Sequence, residues 1–314
     1  PLDLWWSTRR FVRAYRPDVL ACMETEIWPN WITIAKASGM KVVFLNGRIS
    51  ARSIRSYLKV RPLIGPLLAS VNAFSMISES DARRIVRLGA PAGRVRINGN
   101  VKMDVHQQRV NHLTLDRLRR RFAVDAQVPV FVAGSVRGAE IEALLSVYAP
   151  LATRVSGLLF IIAPRHIENA GRIAALADQK GILWQYRTQL GKNRADRHAP
   201  LLILDTIGEL RHVYGLASVA FCGASLVPLG GQNVVEAAVW AKPVLYGPYM
   251  DDFEEARRLL ERCGGGICVP DATALAERAT HLLTHADEAR RLGDLARQAV
   301  MVNQGAARRH AAVI

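Results

Sequence analysis

Short apolar runs alternate with longer amphipathic stretches along almost all of this 314-residue chain, and that rhythm is the strongest constraint on its fold. Strand-like runs cover residues 19–23, 41–45, 73–77 and 95–97. A second series covers 130–133, 158–163, 182–185, 201–204, 219–222, 244–246 and 266–269. Helical patterns lie between them, around 31–37, 51–58 and 81–88, then at 139–151, 167–179, 209–216, 234–240 and 253–263. Two further helices are read at 272–283 and 287–302. Runs that are apolar throughout suit strands buried on both faces, and strand–helix alternation implies a mostly parallel α/β sheet covered by helices. The polar stretch 104–111 separates the two series, so residues 1–110 are expected to form one domain and 111–314 another. Two Rossmann-like domains facing a cleft would bind ligands at the carboxyl ends of their strands.

Half the residues are apolar, enough for sizeable cores and unlike a disordered chain. No apolar run reaches the roughly 18 residues of a membrane span, and no signal peptide is visible. The net charge of +15 is unevenly placed: residues 1–110 hold 18 Lys/Arg against 7 Asp/Glu. Such asymmetry suits an anionic partner, whether nucleic acid, an acidic lipid surface or a phosphorylated substrate, or else solvated helices. Aromatic interleaving, zinc spacing and RNA-binding signatures are all missing, which disfavours nucleic acid. The four cysteines, at 22, 222, 263 and 268, are scattered without metal-ligand spacing, which favours a reducing compartment and no metal site.

Polar motifs follow the strand-like runs. Glu24 and Glu26 point the same way if the first strand continues, and they fit an acid–base pair, a helix N-terminal charge or a solvated turn. Lys102, after the Gly99 turn, suits a phosphate as a point charge or is a plain linker lysine. Arg165, leaving run 158–163, suits a phosphate or carboxylate bidentately, and His166 either begins the next helix or acts as a base. Gly134-Ser135 and Thr206-Ile207-Gly208-Glu209 read as strand-to-helix turns, with Glu209 a first-turn acid or a ribose ligand. The richest stretch is 228–247. There Gly230-Gly231 opens a helix whose first turn carries Asn233 and Glu236, an amide and a carboxylate suited to sugar hydroxyls below a phosphate. A Gly-rich loop capping an ordinary helix is the alternative.

These motifs occur in a familiar order: Met-Glu-Thr-Glu-Ile-Trp-Pro-Asn at 23–30, Asn-Gly-Arg-Ile-Ser-Ala-Arg-Ser at 46–53, Gly-Asn-Val-Lys-Met-Asp at 99–104 and Ala-Pro-Arg-His at 163–166. Gly208-Glu209-Leu210, Gly223-Ala224-Ser225-Leu226, Gly230-Gly231-Gln232-Asn233, Lys242-Pro243-Val244-Leu245 and Asn303-Gln304-Gly305-Ala306 follow. The whole chain thereby resembles the 3-deoxy-D-manno-octulosonic acid (Kdo) transferases of lipopolysaccharide synthesis. The resemblance implies a two-domain GT-B glycosyltransferase whose donor is CMP-Kdo, with no cofactor. Its acceptor would be a lipid A precursor (lipid IVA), at the anionic cytoplasmic face of the bacterial inner membrane. Donor contacts would fall on Ser135, Pro164, Arg165, Ile207, Gly208, Glu209, Gly231, Asn233, Val234, Val235 and Glu236, with Glu24 and Lys102 stabilising the transition state.

The family's catalytic base is a glutamate in an early Gly-Glu motif. Residues 1–23 offer only Asp3 and Asp18 as acids, so the first domain is read as incomplete, without that base or the family's membrane anchor. Two departures concern the donor side: 135–140 reads Ser-Val-Arg-Gly-Ala-Glu where Ser-Thr-His-Glu-Gly-Glu is usual, and Gln232 replaces a common His. Another GT-B enzyme, such as a UDP-sugar transferase or an epimerase, is the nearest alternative.

Overall fold

The central strands of the two sheets, Lys41–Gly47 after its first residue, Val130–Val136, Leu159–Pro164 and Val219–Cys222, are buried almost throughout, and they hold the sheets together. The computed structural model describes residues 2–50, 53–104, 112–125, 127–191 and 196–314. They fall into two compact units, one up to Asp104 together with Asn303–Ile314, the other running to Val302. The boundary expected at 110/111 lies outside the described residues. The chain end, expected in the second domain, belongs instead with the first unit.

In the first unit, β1 (Val19–Met23), β2 (Lys41–Gly47), β3 (Ala73–Met76) and β4 (Val95–Ile97) form a parallel sheet in that order. Every residue of β2 after Lys41 is buried, as a strand covered on both faces requires. Pro29–Ala37 starts with proline at its first position, where the missing N–H costs nothing. Glu79–Leu88 is capped by the Ser78 hydroxyl, which accepts from the Asp81 N–H. The helix read at 51–58 is observed as Ser53–Lys59, its first two expected residues lying outside the described ones.

Three helices of this unit, Trp5–Tyr15, Arg61–Ser70 and Ala306–Ala311, lie where the sequence reading places none. Trp5–Tyr15 precedes the first strand. Arg61–Ser70 contains Pro66 and Gly65, which break a helical pattern. This helix and the Gly89 turn pack backbone to backbone: a Cβ on Gly89 would stand 2.8 Å from Gly65 Cα, and one on Gly65 would stand 3.3 Å from the Leu88 carbonyl oxygen.

The second unit has seven parallel strands: β5 (Val130–Val136), β6 (Leu159–Pro164), β7 (Trp184–Tyr186), β8 (Leu201–Ile203), β9 (Val219–Cys222), β10 (Val244–Tyr246) and β11 (Gly266–Cys268). Their spatial order is β11-β10-β9-β5-β6-β8-β7. The chain moves outward from β5 on one side, then returns to β9 on the other, so the β5–β9 boundary is the topological switch point where open α/β sheets bind ligands. Phe131, Phe160, Ile162 and Phe221 are fully buried and pack with Leu144, Leu145 and Leu275 from the covering helices. Two expected helices shrink: 234–240 keeps only Val235–Ala238 as α-helix, and 209–216 only Leu210–Val213. Among the described residues, no helix is long and apolar enough to cross a membrane.

Candidate active site

The strand ends at the β5–β9 switch point are joined backbone to backbone. The Gly223 N–H donates to the Gly134 carbonyl at 2.8 Å, and a Cβ on Gly223 would lie 2.7 Å from Val136 Cα. Ser135 sits there with φ +56°, in a bulge where the β5–β6 register shifts. Bulges re-aim side chains at sheet rims. At the end of β6, the Arg165 N–H donates to the Val136 carbonyl at 3.0 Å, which sends the exposed Arg165 side chain off the rim beyond Pro164.

Glu236 is half-buried, and its carboxyl is pushed up by burial, an effect that Arg165 and Arg211 oppose. That coupling brings two expected donor residues from separate strand ends into one electrostatic neighbourhood. The same burial acts on Tyr214 and Cys222, both fully enclosed. Their hydroxyl and thiol are raised well above ordinary values, by desolvation first and then by nearby negative charge, Glu236 included. Tyr214 also explains Gly134, since a Cβ there would meet the phenol oxygen at 1.9 Å.

Other expected residues acquire sharper or different roles. Glu209 does not cap the helix after it; its carboxylate accepts from buried Arg187 at 2.7 Å and from the Thr206 hydroxyl at 2.5 Å. Ile207 is 85 % exposed beside Gly208, which has φ +82°, so the loop tip presents an apolar side chain to solvent. Val234 and Val235 are fully buried, so any ligand contact there comes from their main chain. Asn233 turns its side-chain oxygen onto the Val235 N–H at 3.1 Å. His166 starts the turn Ile167–Asn169 without a side-chain cap.

The amide cradle expected at this helix start is largely spent internally. The Gly231 N–H donates to the Ala224 carbonyl at 2.8 Å, and the Val235 N–H donates to the Asn233 side-chain oxygen at 3.1 Å. The helix is only four residues long, so it offers little dipole to an anion.

In the first unit, β1 does not continue through Glu24. Glu24 and Thr25 are both left-handed, with φ +53° and +63°. Such backbone costs roughly 1–2 kcal/mol per residue, and a β-branched residue there is a genuine outlier. The turn is held by the Glu24 N–H on the Leu45 carbonyl (3.0 Å) and by the Thr25 hydroxyl, which accepts from the Arg48 N–H (2.8 Å). Glu24 is thereby exposed at the sheet rim, while Glu26 accepts from the Trp28 indole at 3.0 Å. The two acids are not a matched pair.

Lys102 lies in the 3-10 turn Val101–Met103, whose N-cap Asn100 accepts from the Lys102 N–H at 2.9 Å. Asn46 accepts from the Val101 N–H at 3.1 Å. Glu24 and Lys102 leave opposite edges of the sheet, yet their turns are tied to adjacent β2 residues, Leu45 and Asn46. The residue that sequence reading missed is Glu140. It is completely buried and takes the amides of Ala224, Ser225 and Leu226 at 2.6, 3.0 and 2.9 Å.

Two Rossmann-like units with such strand ends define the GT-B class, and solved structures share the fold. Anabaena HepE in complex with UDP aligns with 98 % of this chain and 80 % of that one, at 12 % identity and a TM-score of 0.60. The C-terminal CMP-Kdo binding domain of WaaA from Acinetobacter baumannii aligns with 60 % of this chain and 96 % of that one, at 21 % identity and a TM-score of 0.55. At such identities the likeness is one of fold.

Residues 1–105 match the family model for 3-deoxy-D-manno-octulosonic-acid transferase. Curated Kdo transferases from Haemophilus influenzae and Bordetella pertussis are both 30 % identical to the chain over 98 % of its length, spanning 72 % and 71 % of their own. The chain therefore belongs to the Kdo transferase family of glycosyltransferases.

Proposed function

We propose that this protein moves Kdo from CMP-Kdo to a lipid A precursor, with the cytidine nucleotide held at the β5, β6 and β9 strand ends. What supports this reading is that Arg165, at the end of β6, and Glu236, in the helix after β9, both follow strands beside the switch point, where they influence one another electrostatically. An exposed guanidinium suits the phosphate that leaves with CMP, and a half-buried carboxylate suits a ribose hydroxyl. Ser135, Gly231 and the main chain of 233–235 would complete the donor pocket, with Ile207-Gly208 bordering it.

Glu24 and Lys102 would stabilise charge as the sugar transfers, one as a carboxylate and the other as a cation. The strained Glu24-Thr25 turn supports a functional role, since strain of this kind concentrates at active sites. An anionic membrane is the proposed docking surface, at the cytoplasmic face of the bacterial inner membrane. Helix Trp5–Tyr15 supports this with exposed Trp5 and Trp6 beside Arg9, Arg10 and Arg13. Interfacial tryptophans and basic side chains, at about 1 kcal/mol per basic residue, suit that surface.

A melting series tests the donor. CMP is expected to raise the melting temperature of the second unit, and UDP to leave it unchanged. Protection by UDP and not by CMP would move the protein to the UDP-sugar branch of the fold class.

A further inference from the structure

Three consecutive amides, those of Ala224, Ser225 and Leu226, converge on one point just beyond β9. Such a concavity is a ready-made anion site. A side chain of the protein already fills it: the Glu140 carboxylate, from the first turn of helix Glu140–Arg154, with Oε2 on Ala224 and Oε1 on Ser225 and Leu226. We propose that Glu140 is a positioning residue for the donor site, occupying this amide nest so that the loop after β9 holds Gly231 and its neighbours in place.

The path is a short chain of bonds. Glu140 fixes the amide of Ala224, a residue held at φ +56°, and the Ala224 carbonyl accepts from the Gly231 N–H at 2.8 Å. Gly231 itself has φ +76° and cannot carry a side chain, since a Cβ would stand 2.3 Å from Met250 Sδ. The neighbouring Ser225 extends the tie to β10. Its hydroxyl donates to the Cys222 carbonyl at 2.5 Å and accepts from the Gly247 N–H at 2.8 Å, and its carbonyl accepts from the Tyr249 N–H at 3.0 Å. One buried carboxylate thus fixes the rims of β5, β9 and β10 together. Burial pushes its carboxyl up, and the backbone amides around it oppose that rise.

A carboxylate accepts at both oxygens. A carboxamide presents a donor to one of those N–H groups, and alanine presents nothing. The inference rests on the donor-site reading above, so the experiment carries a control for that reading. CMP affinity is measured by calorimetry on the full chain for wild type, Glu140→Gln, Glu140→Ala and Arg165→Ala.

Glu140→Gln is expected to weaken CMP binding about tenfold or more, the usual scale for a supporting partner one layer behind a ligand. Formate, which can refill the nest, is expected to restore affinity in Glu140→Ala and to leave Arg165→Ala unimproved. Wild-type-like CMP affinity in Glu140→Gln while Arg165→Ala binds poorly would overturn the role of Glu140. Unchanged binding in Arg165→Ala would instead overturn the donor-site reading. Should the Glu140 variants not fold, hydrogen exchange on wild-type protein decides. The amides of 224–226 are expected to exchange only through global unfolding, with or without CMP. Fast exchange there, or protection appearing only with CMP, would overturn the proposal.

Discussion

The Asp104 carboxylate accepts the Gly305 N–H at 2.6 Å, although 201 positions separate the two residues in sequence. It also accepts from Ala306 (3.2 Å) and Ala307 (2.5 Å), so a residue at one end of the first unit caps the helix Ala306–Ala311 at the other. Arg309 adds its Nε–H on the Asn98 carbonyl at 2.8 Å. Loss of a cap of this kind costs about 1–2 kcal/mol. Asp104→Ala is therefore expected to release the chain end to rapid hydrogen exchange and early proteolysis, while the second unit melts as before. Unchanged protection at 306–311 would show that the cap is dispensable.

Beneath that helix, His310 is only 3 % exposed. Its Nδ1 accepts from the Asn46 N–H (3.2 Å) and sits 2.5 Å from the Ser75 hydroxyl, and its Nε2 is 2.8 Å from the Gly99 carbonyl. This pattern assigns the ring proton to Nε2. Each buried group stripped of its partner costs about 1–3 kcal/mol. His310→Ala should thus destabilise the first unit by about 3 kcal/mol or more in denaturant titrations. His310→Gln and His310→Asn, each able to keep part of the set, are expected to fall between.

All eleven strands found among the described residues overlap the runs read from the sequence; the central ones are legible because a strand buried on both faces is written as an unbroken apolar run. Helix Ala306–Ala311 is illegible locally, since its cap is Asp104 and its core contact is His310. Arg61–Ser70 hides behind Pro66 and Gly65, and its backbone packing against the Gly89 turn appears only in the fold. Among the proposed site residues, Arg165 and Glu236 stand out in the sequence because strand ends are where such folds bind ligands. Glu140 is not, because an acid in a first helical turn reads as a match to the helix dipole. Nothing local distinguishes it from an acid in solvent. The left-handed pair Glu24-Thr25 is equally silent in sequence, for neither residue favours that conformation.

Lys242 lines a cavity of about 560 Å³ with Arg119 and Arg290, at the edge where β5, β9 and β10 begin. Burial first, then Arg119, lowers its ammonium to about 8. The unfolded chain therefore binds more protons between about pH 8 and the ordinary lysine value near 10.4, and stability rises with pH across that window. Lys242→Met is expected to stabilise the protein by about 1–3 kcal/mol at pH 7, with the gain shrinking steadily above pH 8. A gain independent of pH between 7 and 10 would contradict the buried-cation account.

The guanidinium of Arg165 is expected to matter for its shape as well as its charge. A lost charge-assisted, bidentate phosphate contact is worth about 1.5–3 kcal/mol, or roughly ten- to a hundredfold in affinity. Arg165→Ala should lose that much CMP affinity, with Arg165→Lys recovering only a part. Equal affinity for the lysine variant and wild type would mean a point charge suffices.

A crystal of the full chain soaked with CMP tests the central claim most directly. The account predicts the phosphate against the Arg165 guanidinium and the ribose hydroxyls against Glu236, at the rim of β5, β6 and β9. Nucleotide bound elsewhere, or an empty rim at saturating CMP, would contradict it.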